Sequence, residues 1–272
     1  MMNIEQQILQ FNKLHTHYKE KLPKEDWTEK FKENLKIDFT YYSNQLEGNN
    51  INYGDTISFL KTGLINTNLP ASIKDLKDLE NHQNLLNEIF LTYSNITLEE
   101  KTIKALHGKL MKDPVQWAGK DGLPINDALN IIGDYRIDEV YGTREFGTLK
   151  EYVSHFEISK KMEALLTQHN HNINLLNVAN INTHPLYVLA QFHQSFVNDI
   201  HPFKNGNGRM VRLLTNIELM KLNYPPLLIK NKENYVDAII ECEKTNTLFP
   251  MLKIFIADLT ENMTSQLEQT KC

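Results

Sequence analysis

The sequence predicts an all-α domain that carries one small β-hairpin. Apolar residues recur at steps of three and four along almost the whole chain, which is the spacing of amphipathic helices. One stretch, residues 113–147, breaks this spacing with two prolines and five glycines, and no long Ser-, Gly- or Pro-rich linker divides the chain. We therefore expect an N-terminal helical segment, residues 1–70, that packs on a core of residues 71–272.

The helices are placed by their apolar positions and by the residues between them. Seven apolar side chains between residues 73 and 90 lie mostly three or four apart. Thr97, followed three residues later by Glu100, has the pattern of a capping box. The predicted helices span residues 4–20, 26–47, 73–90, 97–111, 149–168, 185–198, 208–222, 232–244 and 248–267.

The interrupted stretch is expected to be an exposed, irregular excursion. Within it, residues 135–141 alternate loosely between apolar and polar side chains. This alternation is typical of a strand, and it predicts one arm of a short hairpin.

Composition excludes several classes of protein. The 272 residues include 29 Lys and Arg against 34 Asp and Glu, a net charge of −5, whereas nucleic-acid binders need a basic face. Cys242 and Cys272 are the two cysteines, too few for a disulfide framework or a cysteine-rich zinc site. The N-terminus has no continuous apolar run. We expect a cytoplasmic protein that binds neither nucleic acid nor membrane.

The segment Ile200–Arg212 is predicted to be a loop that leads into a helix N-terminus. Pro202 stops the preceding helix, and Met210 begins the apolar face of the next one. Gly206 and Gly208 allow positive φ and close approach of the backbone. The free N–H groups of the first helical turn can therefore converge on an anion.

Two arginines and a histidine add chemistry to this loop. Arg209 and Arg212 lie in the first turn, where cations oppose the positive end of the helix dipole, so an anion such as a polyphosphate is expected there. His201 has a side chain that accepts a proton near neutral pH. The combination favours phosphoryl or nucleotidyl transfer. The alternative is a tight connection between two helices, in which His201 caps a carbonyl and the arginines form surface salt bridges.

The same residues resemble the signature of Fic-domain proteins. Residues 201–209 read HPFKNGNGR, followed by Arg212, which is similar to the family pattern H-P-F-x-[D/E]-G-N-G-R-x-x-R. The resemblance extends over about residues 38–265 and includes Gly133–Arg136, which is similar to the start of the family's flap hairpin. It implies a Fic-type helical bundle with a small β-hairpin flap, whose catalytic core is residues 71–272.

The resemblance implies transfer of AMP from ATP to a Tyr, Ser or Thr hydroxyl of a target protein. His201 would be the general base for that hydroxyl. Tyr235 would contact the adenosine, with an ordinary core tyrosine as the alternative. The ATP phosphates would be held by Gly206, Asn207, Gly208, Arg209 and Arg212, and an extended target segment would pair as an added strand with the flap residues Ile137, Asp138, Glu139, Val140 and Tyr141.

Two positions depart from the family pattern. Asn205 stands where the family usually has Asp or Glu to hold Mg²⁺ or Mn²⁺. An amide oxygen ligates a hard cation but contributes no charge, so metal affinity should fall unless phosphate supplies most of the ligands. Cys242 lies seven residues after Tyr235, where related sequences often carry Asn, which leaves the nucleotide preference open.

An upstream segment, residues 43–49, reads SNQLEGN and is predicted to end a helix, with Gly48 at the left-handed cap position. Glu47 in that last turn faces the negative end of the helix dipole, so it needs a cation elsewhere, and Arg212 is a candidate. The segment also resembles the inhibitory motif [S/T]-x-x-x-E-[G/N] of class II Fic proteins, matched by Ser43, Glu47 and Gly48. The resemblance implies that Glu47 pairs with Arg212 and hinders seating of the γ-phosphate; a simple helix cap is the alternative.

Three functions stay open at this point. The first is an AMP-transferase that its own N-terminal helix inhibits and that acts on an unidentified protein or on itself. The second is removal of AMP, or transfer of another phosphate-bearing group, at the same site. The third, motivated by Asn205, is a nucleotide-sensing interaction module that has lost catalysis. A homodimer that buries the Glu47 helix is compatible with the sequence, although nothing in the sequence demands it.

Overall fold

A computed structural model describes residues 3–65, 72–113, 132–143 and 149–269. In these ranges the chain forms ten α-helices and a two-stranded antiparallel sheet, which confirms the predicted fold class. The helices are α1 (Ile4–Lys21), α2 (Glu29–Leu46), α3 (Tyr53–Thr62), α4 (Ile73–Thr92), α5 (Glu100–Leu110), α6 (Ile158–Ile173), α7 (Pro185–Gln194), α8 (Asn207–Lys221), α9 (Lys232–Thr245) and α10 (Phe249–Gln269).

Short polar side chains start many of these helices. Asn3 forms a full capping box with Gln6, and Thr28 and Ser72 accept hydrogen bonds from backbone N–H groups of the first turns of α2 and α4. The capping box expected at Thr97 is wrong. Helix α5 begins at Glu100, and its N-cap residue makes no side-chain hydrogen bond.

One helix was not predicted, and one predicted helix begins at the wrong residue. Helix α3 was missed, although Asn52 caps its first turn and Gly63, at φ 74°, ends it; its ten residues are too few for a clear apolar period. The helix predicted over residues 149–168 is not helical at its N-terminal end. Residues 149–151 form a strand instead, and α6 starts at Ile158.

The hairpin lies later in the chain than predicted. Strand β1 (Tyr141–Thr143) pairs with β2 (Leu149–Glu151), with Tyr141 opposite Glu151. The predicted arm over residues 135–141 is therefore wrong except for its last residue. The physical reason is Arg136, whose fully buried side chain donates hydrogen bonds to backbone carbonyls and holds the chain in an irregular path. Residues 114–131 and 144–147 of the predicted excursion lie outside the described residues.

Helix α8 is the centre of the bundle. Nearly all of its residues from Asn207 to Met220 are buried, as expected for a helix that other elements surround. One hydrophobic cluster packs α8 against α4, α5, α6 and α7, and its fully buried members include Leu86, Ile103, Met162, Phe192 and Leu214. The N-terminal end of α8 therefore emerges from the core at a fixed place.

A second hydrophobic cluster joins the N-terminal helix to the last two helices. Phe11 of α1 is 2% exposed and stacks on Tyr224 at 5.9 Å between ring centroids. The Tyr18 hydroxyl donates to Gln266 Oε1 of α10 at 2.6 Å. The predicted division at residue 70 stays a prediction, because residues 66–71 are not described. Across the described ranges, no helix has the length and apolar character required to cross a bilayer.

We expect replacement of Phe11 by Ala to lower the free energy of unfolding by about 3 kcal/mol, because it leaves a cavity in this second cluster. Leu9 lies on the same helix but is 58% exposed, and Leu9→Ala should change the free energy by less than about 0.5 kcal/mol. Urea denaturation of both variants measures the difference. Equal losses would show that α1 is not docked through Phe11.

Candidate active site

The histidine of the predicted loop follows a widened helical turn. After α7, residues 195–200 continue as a π-helix, in which N–H groups bond five residues back. His201 ends this turn with φ 50° and ψ 63°, in the left-handed region, and its N–H donates to the Phe196 carbonyl at 2.9 Å. This region costs a non-glycine residue about 1 kcal/mol, and Pro202 prevents helical continuation.

The His201 ring has a defined orientation. Its Nδ1 donates to the Val197 carbonyl at 2.9 Å, because a carbonyl only accepts, so the neutral ring carries its lone pair on Nε2. Burial lowers the pKa of His201, the hydrogen bond to Val197 and the charge of Glu47 raise it, and the charge of Arg136 lowers it further. The net shift is downward, so the ring is neutral at pH 7 and able to accept a proton at Nε2.

The loop after His201 is braced from inside. The Asn207 side chain accepts from the Phe203 N–H at 2.9 Å and donates to the Phe203 carbonyl at 2.7 Å. The Phe203 ring is fully buried and stacks on His107 of α5 at 3.8 Å with an interplanar angle of 4°. Asn207 thus shapes the loop in addition to the phosphate contact predicted for it, which stays a prediction.

His107 is a supporting residue that the sequence analysis missed. Its Nδ1 accepts from the Gly133 N–H at 3.2 Å, and its Nε2 donates to the Asn205 carbonyl at 3.0 Å. Burial lowers the pKa of His107 to about 4, so the ring stays neutral and keeps both hydrogen bonds. It joins the start of the flap to the loop, a pairing across 98 residues for which the sequence carries no local signal.

The two glycines lie at the N-terminal end of α8, as predicted. Gly206 is the N-cap residue at φ 77°, and as a glycine it has no side chain with which to cap the first turn. Gly208 lies so close to Glu47 that a Cβ atom there would overlap the Glu47 carboxylate. A carboxylate therefore lies at the helix end where the sequence analysis expected an anion.

Arg209 in the first turn of α8 and Arg212 in the second turn bind acids from different helices. The Arg209 Nη1 donates to Asp78 Oδ1 of α4 at 2.5 Å, and the other Asp78 oxygen pairs with Lys74 at 2.6 Å. Arg212 donates to the Ser43 hydroxyl at 3.0 Å, to the Ser43 carbonyl at 2.8 Å and to Glu47 Oε1 at 2.7 Å. The expected contact between Glu47 and Arg212 is present.

Charge governs the state of Glu47. Burial raises the pKa of its carboxyl, but the charges of Arg212 and Arg209 together with the hydrogen bond from Arg212 outweigh burial, so the pKa is lowered. The Glu47 side chain is 33% exposed, whereas the Arg212 side chain is 4% exposed. Glu47 is thus an ionised group at the surface of the site, and Gly48 ends α2 at φ 91°, the left-handed position predicted for it.

Tyr235 is buried beside Arg212. Its ring is 5% exposed, its centroid is 6.0 Å from Arg212 Cζ, and its hydroxyl is hydrogen-bonded to His193 Nε2 at 2.7 Å. His193 also contacts Thr215 of α8 at 2.9 Å. These bonds make Tyr235 a support behind Arg212; the adenosine contact stays a prediction.

The flap residues divide into an anchored set and an exposed set. Asp138 forms an ion pair with Lys204 of the loop, and Glu139 accepts from the Ser154 hydroxyl at 2.7 Å and from His155 Nδ1 at 2.8 Å. The exposed set is Ile137 at 49% and Tyr141 at 57%, with Val140 half-buried between them. The flap is therefore fixed to the loop while it presents apolar side chains to solvent.

Tyr152, directly after β2, is another residue that the sequence analysis missed. Its ring stacks on the His201 imidazole, with centroids 4.1 Å apart and an interplanar angle of 20°. The two residues are 49 positions apart, so their contact depends on how the flap folds over the loop.

The predicted metal ligand Asn205 lies at the surface, and no cluster of metal-binding side chains occurs among the described residues. The residue is exposed, and its backbone carbonyl is bound by His107. No group of three or more His, Cys, Asp and Glu side chains suited to a metal occurs in the part of the chain that the structure describes. A resident metal held by protein ligands alone is not supported there, whereas an ion carried mainly by phosphate oxygens is compatible with one exposed amide.

The chain is similar in sequence to a known family and to named relatives. Residues 97–219 match the Fic/DOC family. The chain is 27% identical over 243 residues to the protein adenylyltransferase Fic of Aedes aegypti, which is 83% of this chain and 40% of that protein. It is 30% identical over 232 residues to the protein of the same name from Drosophila erecta, 81% of this chain and 39% of that protein. The chain thus spans about two fifths of the length of these curated relatives.

Solved structures show the same fold. A Fic-domain-containing signaling protein from Bacteroides thetaiotaomicron superimposes with a TM-score of 0.80 at 24% identity, covering 96% of each chain. Fic-1 from C. elegans superimposes with a TM-score of 0.73 at 15% identity, covering 98% of this chain and 73% of that one. At these identities the likeness concerns the fold.

We expect Gly206→Ala to lower the free energy of unfolding by about 3 kcal/mol, because it combines backbone strain at positive φ with crowding of the Cβ atom. That atom would lie 3.0 Å from the Met111 sulfur. Gly63 has a similar φ of 74°, and no described atom lies within 4 Å of its added Cβ, so Gly63→Ala should cost about 1 kcal/mol. Thermal and urea unfolding measure both variants, and equal losses would contradict the packing of Gly206.

Proposed function

We propose that this chain, which belongs to the Fic-domain proteins, transfers AMP from ATP to a hydroxyl group of a target protein. In this reaction the target oxygen forms a bond to the α-phosphorus of ATP. The bond from the α-phosphorus to the bridging oxygen breaks, and pyrophosphate leaves. The hydroxyl proton passes to Nε2 of His201. The target is another protein or a second copy of this chain, and a homodimer is part of the proposal.

One observation carries this proposal: a neutral histidine ends the turn that leads directly into the N-terminus of a buried helix whose N-cap residue is glycine. The hydrogen bond to the Val197 carbonyl leaves the lone pair of His201 on Nε2, which is what a general base requires. Five residues later Gly206 caps α8 with no side-chain hydrogen bond. A proton acceptor and an anion site therefore share one short loop.

The phosphates of ATP fit the first turn of α8. Backbone N–H groups at Gly206, Asn207 and Gly208 supply hydrogen-bond donors along the helix dipole. Arg209 and Arg212 supply two guanidinium groups, which bind phosphate oxygens in bidentate fashion. Donors fixed in place stabilise the charge that develops on the α-phosphate and on the leaving pyrophosphate.

Asn205 would be the protein ligand of a Mg²⁺ or Mn²⁺ ion that enters with ATP. Its exposed amide oxygen suits such an ion when phosphate oxygens and water complete the coordination. When bound, the ion would neutralise charge on the phosphates.

Target docking is assigned to the flap. The exposed Ile137 and Tyr141 and the half-buried Val140 offer apolar contacts. The ion pair of Asp138 with Lys204 holds this segment against the loop, and the hydrogen bond from Ser154 to Glu139 holds it against the chain after β2. A target segment laid against β1 would gain main-chain hydrogen bonds and bring its hydroxyl to His201.

The N-terminal segment, residues 1–70, inhibits AMP transfer by the core. Glu47 Oε1 pairs with Arg212 Nη2 at 2.7 Å. The carboxylate lies against Gly208, where a phosphate group would be expected. Ser43 holds the same guanidinium through its hydroxyl and carbonyl. ATP must displace a carboxylate of like charge from this position, which makes transfer slow until Glu47 moves.

We expect His201→Ala to lower the rate of AMP transfer by about 10²- to 10⁴-fold, the range typical of a lost general base, with ATP affinity nearly unchanged. The assay follows label from ATP onto protein, together with equilibrium binding of ATP. The matched control is His17→Ala on the exposed face of α1, which should keep the wild-type rate. Wild-type transfer by the His201 variant would exclude this residue as the base.

The position of the label in ATP separates the proposed reaction from its alternatives. Label at the α-phosphate should appear on protein, and label at the γ-phosphate should not. Incorporation of γ-label would indicate a kinase, and ATP binding without either label would favour a nucleotide sensor.

We expect Glu47→Ala to raise the rate of AMP transfer by about tenfold, which corresponds to removal of ~1.4 kcal/mol of competing ion pairing. Glu33→Ala is the control, since Glu33 is on the same helix but is half-exposed and pairs with Lys61 at 3.7 Å, away from the loop. The rate is measured with α-labelled ATP at limiting ATP. An unchanged rate in the Glu47 variant would leave Glu47 as a helix cap without an inhibitory role.

A further inference from the structure

The contact between Tyr152 and His201 joins the flap to the proposed base. The two rings are nearly parallel at 4.1 Å between centroids, and both residues are half-buried. An aromatic ring at this distance limits rotation of the imidazole, as does the hydrogen bond from Nδ1 to Val197.

We propose that Tyr152 is a positioning residue that orients the His201 imidazole and stabilises its protonated form during transfer. The inference rests on the proposed function. In that reaction the target O–H bond breaks, its proton adds to Nε2, and the ring becomes an imidazolium. The face of an aromatic ring attracts a cation within about 6 Å, so the stack becomes stronger as the charge forms.

The charges around His201 show why this contribution matters. The Arg136 guanidinium opposes protonation of the ring, and the Glu47 carboxylate favours it. Lys204 and Asp138, on the neighbouring loop and flap, form an ion pair with each other. When ATP displaces Glu47 from Arg212, the opposition from Arg136 remains. The ring face of Tyr152 and the Val197 carbonyl then stay as protein groups that favour the imidazolium.

Gly142 of β1 provides the room that Tyr152 needs. A Cβ atom at position 142 would lie 2.6 Å from the Tyr152 hydroxyl oxygen and 3.3 Å from its Cζ. The φ of Gly142 is not positive, so a side chain at this position would meet the tyrosine hydroxyl without straining the backbone. The position of Tyr152 over His201 therefore depends on the flap strand.

The first test measures the pKa of His201 directly, by NMR titration of the histidine ring signals, in wild type, Tyr152→Leu and Tyr152→Phe. Leucine keeps an apolar cover and removes the ring face, so we expect the pKa to fall by roughly half to one unit. Phenylalanine keeps the ring and should give the wild-type value. AMP transfer should fall about tenfold in kcat for the leucine variant, with KM for ATP unchanged, and recover to within about twofold for the phenylalanine variant.

The second test leaves Tyr152 in place and moves it through Gly142. Gly142→Ala should push the tyrosine ring off His201 and reduce kcat about tenfold, as in the leucine variant. The double variant Gly142→Ala, Tyr152→Phe removes the hydroxyl that the new methyl group meets, and it should restore most of the rate. This pair also serves if Tyr152→Leu does not fold.

The outcomes distinguish this inference from the proposed function. An unchanged His201 pKa in Tyr152→Leu, or a double variant no faster than Gly142→Ala, would overturn the role of Tyr152. If the His201 pKa falls in Tyr152→Leu but the wild-type protein incorporates no α-label, the effect of Tyr152 on the imidazole stands and AMP transfer is overturned instead.

Discussion

The structure depends on the buried N-terminus of α8. A helix end carries unpaired N–H groups and a partial positive charge, and Arg209 and Arg212 of α8 add two guanidinium groups to it. Because the rest of α8 is enclosed by other helices, this positive charge must be balanced by acids brought from elsewhere in the fold. Asp78 and Glu47 do so from α4 and α2.

Asp78 and Glu47 differ in burial, which gives Asp78 a structural role and leaves Glu47 able to regulate the site. The Asp78 side chain is 3% exposed and is shared between Arg209 and Lys74, so its removal would leave buried charge without compensation. The Glu47 side chain is 33% exposed and has Arg212 as its ion-pair partner. An anionic ligand can therefore replace Glu47 far more readily than Asp78. In the proposed reaction, Arg209 stays fixed while Arg212 changes its partner.

The loop between the π-helix and α8 is held by contacts from distant parts of the chain. His107 of α5 supports Phe203 and the Asn205 carbonyl, Arg136 binds the His201 carbonyl at 2.9 Å, and Tyr152 covers the imidazole. Each of these residues lies before the loop in sequence, on α5 or beside the flap. The left-handed conformation of His201 persists because these neighbours hold it, in keeping with strain stored at a functional site.

The sequence by itself determined the helical class, the glycine turn before α8 and the residues of the loop, because apolar period, proline, glycine and short caps act within a few positions. It also predicted that Glu47 needs a cation, because an acid at a helix C-terminus is unfavourable without one. Only the tertiary structure decided that Arg209 turns to Asp78, that Tyr235 lies behind Arg212, that the strand begins at Tyr141, and that His107 and Tyr152 contact the loop. Those facts depend on packing between residues that are not close in the chain, as with Arg209 and Asp78, which are 131 positions apart. No local pattern in the sequence carries a signal for them.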